Sequence, residues 1–443
     1  ESGIWEFVPG QVDAAANVIR TTARPTNVAI FQNLSTTPLI DTTLVPGQTL
    51  TPENEAALNL VMPVGLALRS DGALEGGLVG GWQGGAGYAV VPLVAAPDAV
   101  TVSTVINDPD IRARHIQDLR DLALSNNLNG IAISYRDVPA ADREAFAGFI
   151  TELGTALDEA NRLLVVALPA PIESSGTYDT AGYDWRSIGR AADIVVLNLG
   201  HSPADYAADG PAMKALAWAV GEIQRQKIHL ASTAFSVSLP SSGATETLSY
   251  VQAIEPLGSV ALETTAEGSG FTPGSSLTFD LNGSVQDIAP DQTTGAYSYT
   301  RIAEDGSQSR VWIVTATTVR ARLDLARTYG IGGMTINDML DAGNDPSLLT
   351  AINEFKASSA STVPGQLVLQ WTVSGAGGAV IDQTTGLGTP FVWQASEAGD
   401  YTIAGSVVGG GVVDRGSVAV RVADAPTEAP AAPTQAPAAA PTT

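Results

Sequence analysis

NDPDIRARHIQDLRDLALSNNLNGIAISYRDVPAADREAFAGFITELGTALDEANRLLVVALPAP, residues 107–171, alternates helix and strand. Asp108-Pro109 opens the first helix. The carboxylate caps free N–H groups, and proline lacks the N–H that a first helical position leaves unbonded anyway. Ile111, His115, Leu119 and Leu122 then recur every three or four residues, which puts them on one face. GIAISY (130–135) is an apolar run of strand length, and LLVVAL (163–168) is another. Residues 141–161, between them, carry a second helical pattern. Apolar strands joined through helices predict a parallel sheet covered by those helices.

The same alternation extends over residues 27–355, with β runs at 28–31, 60–68, 89–94, 130–135, 163–168, 194–199, 228–235 and 333–336. Eight β/α units in one run predict an α/β fold of the (β/α)8 TIM-barrel type. A doubly wound sheet is the alternative. It is disfavoured because no glycine-rich phosphate loop follows the first strand. The glycine-rich segment GGLVGGWQGGAG (76–87) follows the second strand and lacks a helix start.

The barrel is assigned to residues 27–237 and 314–358, behind an N-terminal extension at 1–26 that carries the apolar Ile4, Trp5, Phe7 and Val8. Residues 238–313 separate the seventh and eighth strands, and their NG and DG hairpin signals predict a β-rich insertion. Residues 362–423 switch to period-two alternation broken by Gly, Asp and Pro, which predicts a C-terminal β-sandwich with Trp371 and Trp393 in its core. Its stretch TPFVWQASEAGDYTIAGSV resembles the last hairpin of immunoglobulin-like or PKD-like modules. From Asp424 onward DAPTEAPAAPTQAPAAAPTT is a Pro/Ala/Thr-rich tail, whose prolines forbid helix and sheet.

Composition narrows the function. The 443 residues include 22 basic and 46 acidic side chains, a net charge of −24. Such a balance argues against a nucleic-acid groove or an anionic-membrane surface. Hydrophobic residues make up 44%, enough for a sizeable core, yet no apolar run nears the roughly 18 residues of a membrane helix. Cysteine is absent, and the three histidines (His115, His201, His229) show no metal-ligand spacing, so no cofactor or metal is expected. The chain starts at Glu1 without Met or an apolar signal core. That reads as a secreted protein with its signal peptide removed.

The opening segment resembles glycoside hydrolase family 18, in its spore-germination and peptidoglycan-hydrolase branch. VGLALRSDGALEG (64–76), AADIVVLNLGHSPADYAADGPAMKALAWAVGEI (191–223) and VRARLDLARTYGIGGMTINDMLDAGND (319–345) extend the resemblance, and the insertion stands where that family carries a subdomain. The resemblance implies a site built on DG-x-D-x-D-x-E at the end of the fourth strand. Its Glu is the proton donor, and the Asp before it holds the substrate's N-acetyl group, which acts as nucleophile.

The matching segment here runs from Asn129 and Gly130 to Arg136, with Ala132 and Ser134 at the two Asp positions and Arg136 at the acid. A guanidinium cannot serve as a general acid near neutral pH. The M-x-Y-D motif of the sixth strand corresponds to Asn198, Leu199, Gly200 and His201, and the tryptophan floor of the eighth strand to Asn337. The expectation is therefore a chain that is not an enzyme. It would be an extracellular structural or adhesive protein, a repeating subunit of a surface assembly or filament. Self-association would run through the N-terminal extension, the sandwich or the tail, with cell-wall glycan as a further partner.

A glycan-binding protein is the alternative, with Trp82, Tyr88, Tyr178, Tyr183 and Trp185 as loop aromatics for stacking on sugars. An active hydrolase with a relocated acid is the third reading. It draws on Asp98, Asp137 and Asp338, all expected at the top face of the barrel. Arg136 is expected there too, paired with a carboxylate such as Asp137.

Overall fold

The structure is a computed structural model. It describes residues 10–13, 18–21, 37–78, 87–241, 244–263, 270–285, 288–291, 294, 296–303, 305–363, 365–375, 380–409 and 411–424. The chain divides into two compact units. One comprises Glu1–Pro256, Asp287–Leu367 and Gly409–Val412, the other Leu257–Gln286, Val368–Val408 and Val413–Thr443.

In the first unit eight parallel strands pair in a ring. They are Leu39–Leu44, Leu60–Pro63 with Leu66–Leu68, Ala89–Val90 with Leu93–Ala95, Gly130–Ser134, Leu163–Pro169, Ile194–Asn198, Ile228–Thr233 and Gly333–Asn337. The eighth pairs with the first, Gly333 opposite Leu39. The second and third pair through both of their segments, and the third pairs with the fourth. This is the TIM-barrel arrangement. Pro63 ends the first piece of the second strand and Pro92 interrupts the third, since proline lacks the donor a ladder needs.

The first barrel strand corrects the sequence reading. The run at 28–31 lies outside the described residues, and Leu39–Leu44 takes the place. Ile40, Thr42 and Leu44 alternate with Asp41, which is fully buried inside the barrel and accepts a hydrogen bond from the His229 ring. A carboxylate in mid-strand broke the apolar run. Leu60, Met62, Val91, Ala132, Val165, Ile194, Val196 and Ala231 fill the rest of the lumen.

Gly130 sits where the fourth and fifth strands touch. A Cβ there would lie 2.2 Å from the Leu163 carbonyl oxygen. Gly130→Ala should push the two strands apart and cost about 1–3 kcal/mol. An unchanged denaturant midpoint would refute that.

Helices on the outside bury their apolar faces against the strands. Asp108 caps Pro109–Ser125 through hydrogen bonds from the Asp110 and Ile111 amides. His115, Leu119 and Ala123 form its buried stripe. His115 Nδ1 donates to the Gly72 carbonyl at 2.7 Å, and Nε2 accepts from the Tyr135 hydroxyl at 2.6 Å. Burial pushes the His115 pKa down to about 4. The unfolded chain takes up that proton near pH ~6.5 while the folded one resists it, so His115 costs stability as pH falls from there. The loss is complete below a pH of about 4. Thermal unfolding should show it, and His115→Gln should flatten the profile.

Between the seventh and eighth strands, an antiparallel sheet runs in the order Glu246–Leu248, Ser236–Pro240, Gln308–Trp312, Tyr297–Ile302, Ala289–Pro290. The Tyr299 hydroxyl donates to the Ala253 carbonyl at 2.8 Å and pins the short helix Tyr250–Ile254 onto it.

The rest of the 238–313 segment belongs elsewhere. Val260–Leu262 and Ser276–Leu281 join Phe391–Gln394 in a three-stranded sheet of the second unit. That unit's other sheet orders Val380–Gly386, Val368–Gly375, Gly399–Val408 and Val412–Val422. The single inserted subdomain read from the sequence is thus divided between the two units. Trp371 and Trp393 are both buried. The tail and most of the N-terminal extension lie outside the described residues, apart from the paired strands Gly10–Asp13 and Val18–Thr21.

Candidate functional site at the barrel mouth

The last residues of the barrel strands converge on a cavity of about 330 Å³. Ser134 ends the fourth strand, Asn198 the sixth, Thr233 the seventh and Asn337 the eighth, and all four line it. Thr247 of the inserted sheet lines it as well. Alternation aims Ala132 and Ser134 to one side of the fourth strand, and Arg136, two residues past the strand's end, lines the same cavity. The three positions that the resemblance assigns to carboxylates are therefore together, holding a methyl, a hydroxyl and a guanidinium.

Arg136 is exposed and forms no ion pair among the described residues. The expected pairing with Asp137 is absent. Water solvates an exposed guanidinium, so burial imposes no demand for a partner. Asp137 is itself exposed and has a left-handed backbone, φ 57°. Asp98 caps the helix Ala99–Asn107 by accepting from the Thr101 amide at 2.7 Å.

Asp338 differs from both. It follows the eighth strand, lines the cavity and is half-buried. Its backbone is left-handed, φ 59°, and the Asn344 amide holds its carbonyl at 2.6 Å. Aspartate tolerates this conformation better than most residues. The turn thereby presents the carboxyl to the cavity rather than to bulk water. Thr233 Oγ1 donates to Asp338 Oδ2 at 3.0 Å. Burial raises the Asp338 pKa, and the Thr233 hydrogen bond and nearby His201 offset part of that rise.

His201 also lines the cavity, and its pKa is lowered, chiefly by burial and then by the Arg322 charge. It is therefore a neutral imidazole at neutral pH. Arg322 is buried beneath it. Its Nη1 donates to Ser232 Oγ at 2.8 Å and its Nη2 to the His201 carbonyl at 2.9 Å, and its guanidinium lies 4.7 Å from the Tyr206 ring centre. Gly200 stays out of the cavity. Its φ is 138°, and a Cβ there would meet the Asp205 carboxylate at 2.4 Å. Asn129 is structural too, accepting from the Val90 amide at 2.8 Å. Asn337 accepts from Thr43 Oγ1 at 3.2 Å.

Among the described residues, the loop aromatics pack against other side chains. Tyr183 and Trp185 are each only 2% exposed, Tyr178 stacks on Trp218 at 4.7 Å, and Tyr88 packs against the core. Trp82 lies outside the described residues. Tyr183 and Trp185 were expected at the surface, but the hydrophobic core around the barrel buries them.

Sequence reading missed Thr233, Arg322 and Thr247. Thr233 shares inward parity with His229 and Ala231, a signal available once the strand is set. Arg322 lies three residues after Val319 and four before Ala326, on its helix's buried face, which marks it as an arginine with an interior role. Among the described residues, no group of three or more His, Cys, Asp or Glu could hold a metal ion.

No protein-family model matches the chain. A cortical fragment-lytic enzyme of Bacillus anthracis is 22% identical over 241 residues, covering 53% of this chain and 51% of that one. An uncharacterized glycosylase of Bacillus subtilis is 22% identical over 247 residues, 54% of this chain and 65% of that one. The chain spans about a third to half the length of the first curated relatives it matches. Among solved structures, a chitinase from Chromobacterium violaceum superposes with a TM-score of 0.54 at 21% identity, over 72% of this chain and 99% of that one. The Bacillus megaterium spore cortex-lytic enzyme SleL gives 0.53 at 18% identity, over 77% and 80%. The expectation that the chain is not an enzyme does not stand, because these relatives are named as enzymes. The fold is that of the family 18 glycoside-hydrolase barrels.

Proposed function

We propose that the barrel mouth is a glycoside-hydrolase site for a polymer of N-acetylated amino sugars, the class of chitin and peptidoglycan, with Asp338 as proton donor. The observation that carries this reading is the half-buried Asp338 carboxyl in the cavity, whose acidity burial suppresses. A carboxyl whose pKa is raised by its surroundings is suited to protonate a glycosidic leaving oxygen. Arg136 stands where the resembled family has its acid and cannot fill that role, so the acid has moved to the eighth strand.

The carboxyl proton passes to the glycosidic oxygen as the bond to the anomeric carbon breaks. The substrate's own acetamide oxygen closes on that carbon, and water then opens the cyclic intermediate. Asn198 and Asn337 offer amide dipoles to orient the acetamide. Neutral His201 is a base for the incoming water. We further read the chain as acting outside the cell, with the second unit as an immunoglobulin-like accessory module. The relatives' names support the glycan class, and composition supports the location. Incubation with chitin oligomers and purified peptidoglycan should yield new reducing ends by mass spectrometry. Intact material after both incubations, across acidic and neutral pH, would overturn the reading.

A further inference from the structure

We infer that Arg136 makes the mouth selective for a glycan that carries a carboxylate. The inference rests on the reading of the mouth as a sugar site and names which sugars it takes. Among the described residues lining the cavity, Arg136 is the one arginine or lysine. It is exposed there and holds no ion pair among the described residues, so its donor fork is open to a ligand.

Among the described residues lining the cavity, the other titratable side chains are Asp338 and His201. The Asp338 pKa is raised by burial and its carboxyl accepts from Thr233 Oγ1, and the His201 pKa is lowered, chiefly by burial and then by Arg322. The remaining polar lining is uncharged, with Ser134, Asn198, Thr233 and Asn337 closest in role. A single arginine, with no ion pair among the described residues, thus stands in the mouth of a chain whose net charge of −24 repels anions elsewhere. A planar guanidinium matches a carboxylate with two parallel hydrogen bonds, and such charge-assisted pairs are about twice as strong as neutral ones. Arg136 lines the cavity with Ala132 and Ser134, so the carboxylate would be read from the end of the fourth strand while Asp338 works from the end of the eighth.

Two kinds of sugar supply that group, the lactyl ether of a muramic acid and the acid of a uronate. Isothermal calorimetry on the full chain bearing Asp338→Asn keeps ligands intact and separates binding from cleavage. The probes are the N-acetylglucosaminyl-N-acetylmuramic acid disaccharide, its carboxyl-reduced form, a hyaluronan tetrasaccharide and chitotetraose. At least one carboxylated probe should bind about tenfold or more tighter than the neutral ones. Arg136→Gln should erase that preference, with an unchanged melting temperature as expected for an exposed side chain. Tighter binding of the muramyl probe or of hyaluronan identifies the source of the acid. Equal binding of native and carboxyl-reduced probes would overturn the inference, as would a preference that survives Arg136→Gln. No binding of any probe would overturn it too, whereas cleavage of chitin by the unmutated chain would leave the hydrolase reading standing.

Discussion

Asp338→Asn is expected to lower glycan cleavage by about 10²–10⁴-fold, the usual worth of a positioned general acid. The amide keeps the size of the side chain and the acceptor for Thr233 Oγ1, so the loss would report the proton and not the fold. The unmutated chain should show the matching pH dependence. Asp338 must hold its proton to act, and burial raises its pKa, so activity should fall as pH rises through that raised value. Thr233→Val tests the same point from the other side. The Thr233 hydrogen bond lowers the Asp338 pKa, so removing it should carry the basic limb of the profile to higher pH. Unchanged turnover in Asp338→Asn, with normal folding, would remove Asp338 from the chemistry.

Trp371→Ala should cost the second unit about 3–5 kcal/mol, as large aromatic deletions in cores do. Trp371 is fully buried, stacks on Phe391 at 5.4 Å between centroids and donates from Nε1 to Thr385 Oγ1 at 3.0 Å. Phe391 belongs to the three-stranded sheet and Trp371 to the other, so the pair joins the two faces. Phe279, from the strand Ser276–Leu281, lies 6.2 Å from Phe391 and completes the cluster. Trp371→Phe should recover most of the loss, since a ring remains to stack and only the indole hydrogen bond goes. A loss near zero in Trp371→Ala, measured by thermal unfolding, would mean that these rings do not hold the unit together.

The barrel was legible because its signals are local. Asp108 and Pro109 start a helix by their own chemistry, and Ile111, His115 and Leu119 mark its buried face by spacing alone. Seven of the eight strands stood out as apolar runs, because both faces of a parallel barrel strand are covered. The positions at the mouth were given by the resemblance to family 18, and Ala132, Ser134, Arg136, Asn198, His201 and Asn337 line one cavity.

What the chain folds back upon had no such signal. Asp41 hid the first strand because its hydrogen-bond partner, His229, lies 188 residues away in the chain. Residues 260–262 and 276–281 look like any hairpin-forming strands, and only pairing with Phe391–Gln394 sends them to the second unit. Tyr183 and Trp185 read as loop aromatics, yet burial decides whether a ring packs or recognises a sugar. Asp338, Asp137 and Asp98 were equals in the sequence. One caps a helix, one lies in water, and one is drawn half out of water beside Thr233 and His201. The residue types came from the sequence, but the raised pKa of Asp338 came from the tertiary structure, because desolvation is a property of everything packed around a group and not of the group itself.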